Sequence, residues 1–243
     1  MGSPFSDITL YTQIPHSVGT PEYWEETSLQ NFVSDLYVQK MYRYKPPKAS
    51  RVTIQTAYHN IWKKTWKIGS IISIAGYYSY DDFKVLNKKG KYHYILDLIQ
   101  NSMLKLSEEY KWDRTVFEKA YKEVIESDFK FKIDYPVKKS RDKKKAAKLS
   151  IEKTETKTSV YADISANGST HKVKLFDKEN MWWYDCVYKL SQYNKWFDKD
   201  RFGISYGKGM IDIWYSIDQN EVATFENGNT VKEIDFKKFF RFG

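Results

Sequence analysis

Hydrophobic and polar positions along the chain change period several times, and each change marks an element. Residues 5–12 (FSDITLYT) alternate, with Ile8 and Leu10 on one parity, which predicts an opening strand. Pro15 and Gly19-Thr20-Pro21 interrupt the pattern. Thr20 suits a helix N-cap and Pro21 the first helical position, so a helix is predicted over residues 21–37. Pro46-Pro47 makes residues 42–50 a turn or extended link. Alternation returns in 51–58, where Val52, Ile54 and Thr56 share a face, and in 65–78, where Trp66, Ile68, Ile72 and Ile74 do so. Two strands are predicted, with a turn at His59-Asn60 between them.

The period then lengthens. In residues 91–110, Ile95, Leu98, Ile99, Met103 and Leu106 recur at three- and four-residue spacing, drawing one apolar stripe on a helix. Asp113 suits the N-cap of a second helix over 115–126, where Val116, Phe117, Ala120, Tyr121, Val124 and Ile125 repeat likewise. The short connection predicts an antiparallel helix pair packed on a sheet. Residues 129–137 (FKFKIDYPV) alternate again, and residues 138–148 (KKSRDKKKAAK) hold seven basic residues and one acid. This composition shift is the expected boundary, read as a link, a long loop or the start of a strand.

Beyond it the chain reads as hairpins. Val160, Ala162 and Ile164 alternate up to Asn167-Gly168, and Val173 and Leu175 alternate back; Asn-Gly between two such runs is a strong hairpin signal. One helix is predicted across 181–197. Two more hairpins are predicted, 202–206 with 210–217 around Gly207-Lys208-Gly209, and 222–225 with 231–234 around Asn227-Gly228. The expected fold class is α+β: an N-terminal sheet with an antiparallel helix pair, then a mostly antiparallel, hairpin-rich lobe with one helix. The expected division is an α+β lobe at 1–137, a basic linker or loop at 138–148 and a β-rich lobe at 149–243, with packing as a single domain left open.

Composition narrows the functional classes. The 243 residues carry 40 Lys+Arg against 31 Asp+Glu, a net charge of +9, which favours acidic partners. The longest apolar stretch, around residues 68–78, falls far short of the roughly 20 residues a membrane-spanning helix needs. No N-terminal segment shows a signal peptide's basic start and apolar run, so a cytoplasmic location is expected. The single cysteine, Cys186, lacks an intrachain disulfide partner and sits in MWWYDCVYKL without a neighbouring His, which suits a buried structural thiol.

No catalytic signature appears. His16, His59, His93 and His171 are scattered, with no H-E-x-x-H and no C-x-x-C spacing, so neither metal nor cofactor is expected. His93 and Asp97 lie four apart on a predicted helix, a spacing that more often marks a surface contact than a site. The carboxylate pairs Glu25-Glu26 and Asp81-Asp82 are sequence neighbours, which do not face each other on a helix. The segment from Gly203 to Gly209 falls one residue short of a phosphate loop and leads into a strand rather than a helix, so a hairpin turn explains it better.

Binding chemistry remains. The chain has 8 Trp, 20 Tyr and 14 Phe, and aromatic side chains with Arg dominate protein hot spots. Core packing accounts for most of them. Tyr77, Tyr78, Tyr80, Trp182, Trp183, Trp214 and Tyr215 stand out as partner-contact candidates because they cluster. In Trp214-Tyr215, adjacent on a strand, one ring should enter the core and the other face outward. Lys138, Lys139, Arg141, Lys143, Lys144 and Lys145 are the nucleic-acid candidates, although their run contains no aromatic of its own for base stacking.

The leading expectation is a non-enzymatic binding protein that occludes a protein partner with an acidic surface. In general character the chain resembles the broad class of bacterial immunity proteins that neutralise a cognate toxin; no motif carries that resemblance, so it transfers no residues. The alternatives are a basic nucleic-acid-binding accessory or defence protein, and an enzyme whose residues converge only in the fold.

Overall fold

The structure, a computed structural model, describes residues 7–56, 64–166, 168–180 and 191–235. It is an α+β protein of two compact units, Met1–Lys130 and Phe131–Gly243.

In the first unit, strand β1 (Asp7–Tyr11) leads into helix α1 (Pro21–Lys40). The helix starts where expected: the Thr20 hydroxyl accepts the Tyr23 amide at 3.3 Å, and Pro21 gives up no useful donor in the first turn. Leu29, Phe32, Val33, Leu36 and Tyr37 form its buried stripe. The chain then returns through β2 (Arg51–Gln55), β3 (Thr65–Ile68) and β4 (Ile71–Ala75). The sheet order is β1-β2-β4-β3, with β1, β2 and β4 parallel and β3 an antiparallel edge. The single strand expected over 65–78 is therefore a hairpin. Gly69, at φ 60°, turns the chain, so Ile68 pairs with Ile71 at the exposed tip while Ile72 and Ile74 stay in the core.

Parallel register aligns the side chains in rows. Ile8, Val52 and Ile72 form one row and Leu10, Ile54 and Ile74 the next, all buried on one face. On the other face lie Thr9, Thr53 and Ser73, with the last two hydroxyls 2.7 Å apart. A short helix α2 (Tyr80–Lys84), capped by Ser79, precedes α3 (Lys88–Tyr110) and α4 (Arg114–Glu126). Asn87 caps α3 and Asp113 caps α4. The Tyr37 hydroxyl ties α1 to both, 2.6 Å from Gln100 Oε1 and 3.2 Å from the Phe117 carbonyl.

The second unit is two antiparallel sheets packed on one core. The first sheet holds β5 (Phe131–Asp134), β7 (Ala146–Lys153), β8 (Lys157–Ala166) and β9 (Ser169–Glu179) in that order, with β6 (Lys138–Lys139) also paired to β7. The second is a meander of β10 (Asn194–Trp196), β11 (Arg201–Tyr206), β12 (Ile211–Ser216), β13 (Glu221–Glu226) and β14 (Asn229–Thr230). Leu149, Ile151, Val160 and Ile164 of one sheet meet Phe202, Ile204, Ile213 and Tyr215 of the other. All three predicted hairpins are present.

Two expectations change here. Residues 138–148 are not a link between units but a hairpin inside the second one. Ala147, Leu149 and Ile151 alternate into the core and carry the end of the lysine run into β7, while Ser140 and Asp142 close the turn. The helix expected over 181–197 lies mostly outside the described residues, and its last stretch is strand β10, paired with β11. Among the described residues no helix is long and apolar enough to cross a membrane.

Candidate binding site

Parallel strands end together, so the loops after β1, β2 and β4 gather at one edge of the first sheet. In parallel α/β sheets, ligand sites form at such an edge. Thr56 fastens it: its amide donates to the Tyr11 carbonyl at 3.1 Å and its hydroxyl accepts the Gln13 amide at 3.0 Å. After β4 the chain leaves through Gly76, whose amide donates to the Gln55 carbonyl at 2.9 Å. A Cβ at Gly76 would lie 2.8 Å from both Ile54 Cγ2 and Leu98 Cδ1, so glycine lets the strand exit flush against α3. The next side chains diverge. Tyr77 is 58 % exposed, whereas Tyr78 is buried with its ring edge-on to Tyr94. The Tyr94 hydroxyl accepts the Ser79 amide at 2.8 Å and fixes the turn.

Beside this exit lies a cleft of about 630 Å³, lined among others by Tyr77, Asp82, Tyr94, Asp97, Asn101 and Ser102. Asp97 accepts the Tyr121 hydroxyl at 2.7 Å; that bond, with burial and the carboxylate's charge adding to it, pushes the Tyr121 phenol up to about 12. Two carboxylates among aromatic rings make the cleft a receptor for a cationic group, in a protein whose overall charge is positive.

Behind Tyr94, three residues far apart in sequence come together. The His16 Nε2 lies 2.9 Å from the Tyr80 hydroxyl and 3.9 Å from Glu26 Oε1. Glu26 is buried, and burial raises its carboxyl above the usual range, against the pull of His16 and Lys91. His93 and Asp97 do not form a pair: His93 packs edge-on to Phe129, and Asp97 faces Tyr121. Among the described residues, no group of three His, Cys, Asp or Glu is placed to hold a metal ion.

The sequence-predicted contact residues separate into three groups. Tyr77, Tyr78 and Tyr80 come to the carboxyl edge of the sheet. Trp182 and Trp183, like Cys186, lie outside the described residues. Trp214 and Tyr215 do point to opposite faces, but neither ring is outward. Tyr215 is in the core with its hydroxyl 2.8 Å from Asn220 Oδ1, and Trp214 is covered by Phe225, stacked at 5.6 Å, and by the Arg201 guanidinium at 4.9 Å. The strand β13 supplies the cover that adjacency alone does not reveal.

The basic candidates form an ordered turn. Lys138 donates to the Asn194 carbonyl, and Lys145 pairs with Asp200, whose carboxyl it holds below the usual range. Lys139, Arg141, Lys143 and Lys144 stay exposed. The fold brings the aromatics missing from the run itself: Trp196 donates its Nε1–H to the Lys138 carbonyl at 2.9 Å, and Arg141, Trp196, Phe197 and Lys199 line a groove of about 480 Å³.

His16, Glu26, Asp82 and Tyr94 are site residues that sequence reasoning did not assemble. The usable signal was indirect: His16 and Tyr77–Tyr80 each follow a predicted strand, and a parallel pairing puts such segments side by side. No protein-family model matches the chain, and no curated protein or solved structure matches it.

Proposed function

We propose that the protein is a non-enzymatic binding protein that occludes a protein partner, in the manner of a toxin-neutralising immunity protein, with the cleft at the carboxyl edge of the first sheet as its contact face. The supporting observation is the exposed ring of Tyr77 beside Asp82 and Asp97. An arginine or lysine of the partner inserted there would gain ring and carboxylate contacts at once, the chemistry of a hot spot. The net charge of +9 steers approach to an acidic surface, and the cleft anchors one cationic side chain within it. The test is calorimetry with the product of the adjacent gene. Nanomolar binding is expected, weakened about 100-fold in the double variant Tyr77→Ala, Asp97→Asn. Absence of binding, or a double variant that binds as tightly as the natural protein, refutes the reading.

One observation favours a second reading, nucleic-acid binding by the second unit: exposed Lys139, Arg141, Lys143 and Lys144 flank a groove holding Trp196 and Phe197. Single-stranded nucleic acid needs that combination of charge and rings. Four phosphate contacts give a salt slope of about −2.8 for a single strand. Replacing Lys139, Arg141, Lys143 and Lys144 by Ala should abolish it. Lys145 is left intact because its pairing with Asp200 is structural. Affinity that ignores both salt and these substitutions excludes this reading.

A further inference from the structure

Three polar atoms buried near the carboxyl edge of the first sheet have no hydrogen-bond partner in the protein: Glu26 Oε2, Gln30 Nε2 and the Tyr78 hydroxyl. Their residues are 8 %, 3 % and 4 % exposed. Buried polar groups are nearly always paired, so three in one neighbourhood need an explanation. Glu26 and Gln30 stand one turn apart on α1 and therefore share a face. Tyr78 is close enough for the Glu26 charge to add to the effect of burial and raise its phenol further. His16 and Tyr80 close the neighbourhood from the loop after β1 and the start of α2.

The available valences define a complement. Gln30 Oε1 accepts the Thr12 hydroxyl at 2.9 Å, which leaves Nε2 as a donor seeking an acceptor. Glu26 Oε2 seeks a donor, and the Tyr78 hydroxyl takes either role. The aromatic rings of Tyr78, Tyr80 and His16 near a carboxylate favour a cationic donor over a neutral one. The nearest lysine in charge terms, Lys91, is held elsewhere, with its ammonium 5.0 Å from the Phe83 ring centre.

We propose that Glu26, Gln30 and Tyr78 form a site for a small amine that carries a hydroxyl or carbonyl oxygen beside its ammonium group. The ammonium donates to Glu26 and to Tyr78, and the oxygen accepts from Gln30. The site is a small-molecule site in its own right, separate from the exposed carboxylates of the cleft, and needs no protein partner.

The test is an NMR or calorimetric titration of the full chain alone with ethanolamine and glycinamide, against ethylamine, which lacks the oxygen, and ethylene glycol, which lacks the charge. So small a ligand binds weakly at best, so millimolar dissociation constants are expected for the first two. Both should bind about 10-fold more tightly than the two controls, because each control forfeits a hydrogen bond at a buried group. Glu26→Gln should weaken ethanolamine about 10-fold or more, and Tyr78→Phe, which keeps the ring packing, several-fold. If none of the four probes binds, if all four bind alike, or if folded Glu26→Gln and Tyr78→Phe both bind ethanolamine as the natural protein does, the proposal is overturned. Because no partner is present in this experiment, its outcome is independent of the occlusion reading.

Discussion

The two units treat buried polarity in opposite ways. In the second, Asp134, Asp177, Asp198 and Asp200 each meet lysine or arginine, and their carboxyls are held below the usual range. For Asp177, desolvation works upward, but hydrogen bonds from Lys157, Ser159 and Lys174 outweigh it and bring the carboxyl down to about 2. In the first unit Glu26 sits deeper, with one oxygen unpartnered and a carboxyl raised by its burial. Paired charges at a sheet surface are the ordinary means of keeping lysine-rich strands soluble. A buried carboxyl without a full set of partners costs stability, and such costs concentrate at binding sites. The contrast directs attention to the first unit as the place where ligands are recognised.

Glycine gives the harshest test of that contrast. Gly203→Ala in β11 would put a Cβ 1.9 Å from the Ile213 carbonyl oxygen and 2.6 Å from the Trp214 Cα, and backbone on the partner strand cannot step aside. We expect a loss of about 3 kcal/mol or more, read by urea unfolding and by hydrogen exchange in β11 and β12. Gly76→Ala meets only side-chain methyls of Ile54 and Leu98, so about 1–2 kcal/mol is expected, with the cleft residues Tyr77 and Tyr94 displaced in NMR spectra. Equal losses would show that the β4 exit is as rigid as the β11–β12 contact.

Acid and base titrations should separate the units by sign. Glu26 keeps its proton in the folded state at pH values above 4.5, where the unfolded chain has lost it. Its contribution is therefore present at low pH and fades as pH rises through the raised value, an effect shaped also by His16, Lys91, Tyr80 and Glu25. Asp177 contributes above its ordinary 3.8, and that contribution is lost as pH falls towards about 2. Glu26→Gln should flatten the first slope and Asp177→Asn the second in stability-versus-pH curves; an unchanged slope in either variant removes that side of the comparison.

Smaller effects sharpen the local picture. Removing the caps, Thr20→Ala at α1 or Asp113→Ala at α4, should cost about 1 kcal/mol each in thermal unfolding. Lys122→Ala, which breaks the exposed pair with Glu126, should change stability by less than about 0.5 kcal/mol.

What could be read from the sequence follows the range of the forces involved. The caps Thr20 and Asp113, the stripes of α3 and α4, and the turn at Gly207-Lys208-Gly209 are encoded within a few residues, and each lies where the pattern puts it. The β3–β4 hairpin was hidden because Ile68 and Ile72 keep the same parity across Gly69-Ser70, so alternation runs on through the turn. Strand β7 was hidden because Ala147 and Leu149 begin their alternation inside a lysine run. The outward placement expected for one ring of Trp214-Tyr215 failed for want of one long-range fact, the position of Phe225. The candidate site was illegible for the same reason: His16 and Tyr80 are 64 residues apart, and only the β1-β2-β4 order joins them.

That order also carries a kinetic consequence. In the second unit most strands pair with their immediate sequence neighbours, so contacts close short loops. In the first, Asp7 must find Arg51, 44 residues on, before β4 can be added, and non-local parallel pairing is slow. During synthesis the carboxyl edge has no existence until Tyr80 has emerged. Recognition by this edge is thus a property of the completed first unit, and a chain stalled before α2 would present its opening strand unpaired or half-paired, with the edge exposed to aggregation.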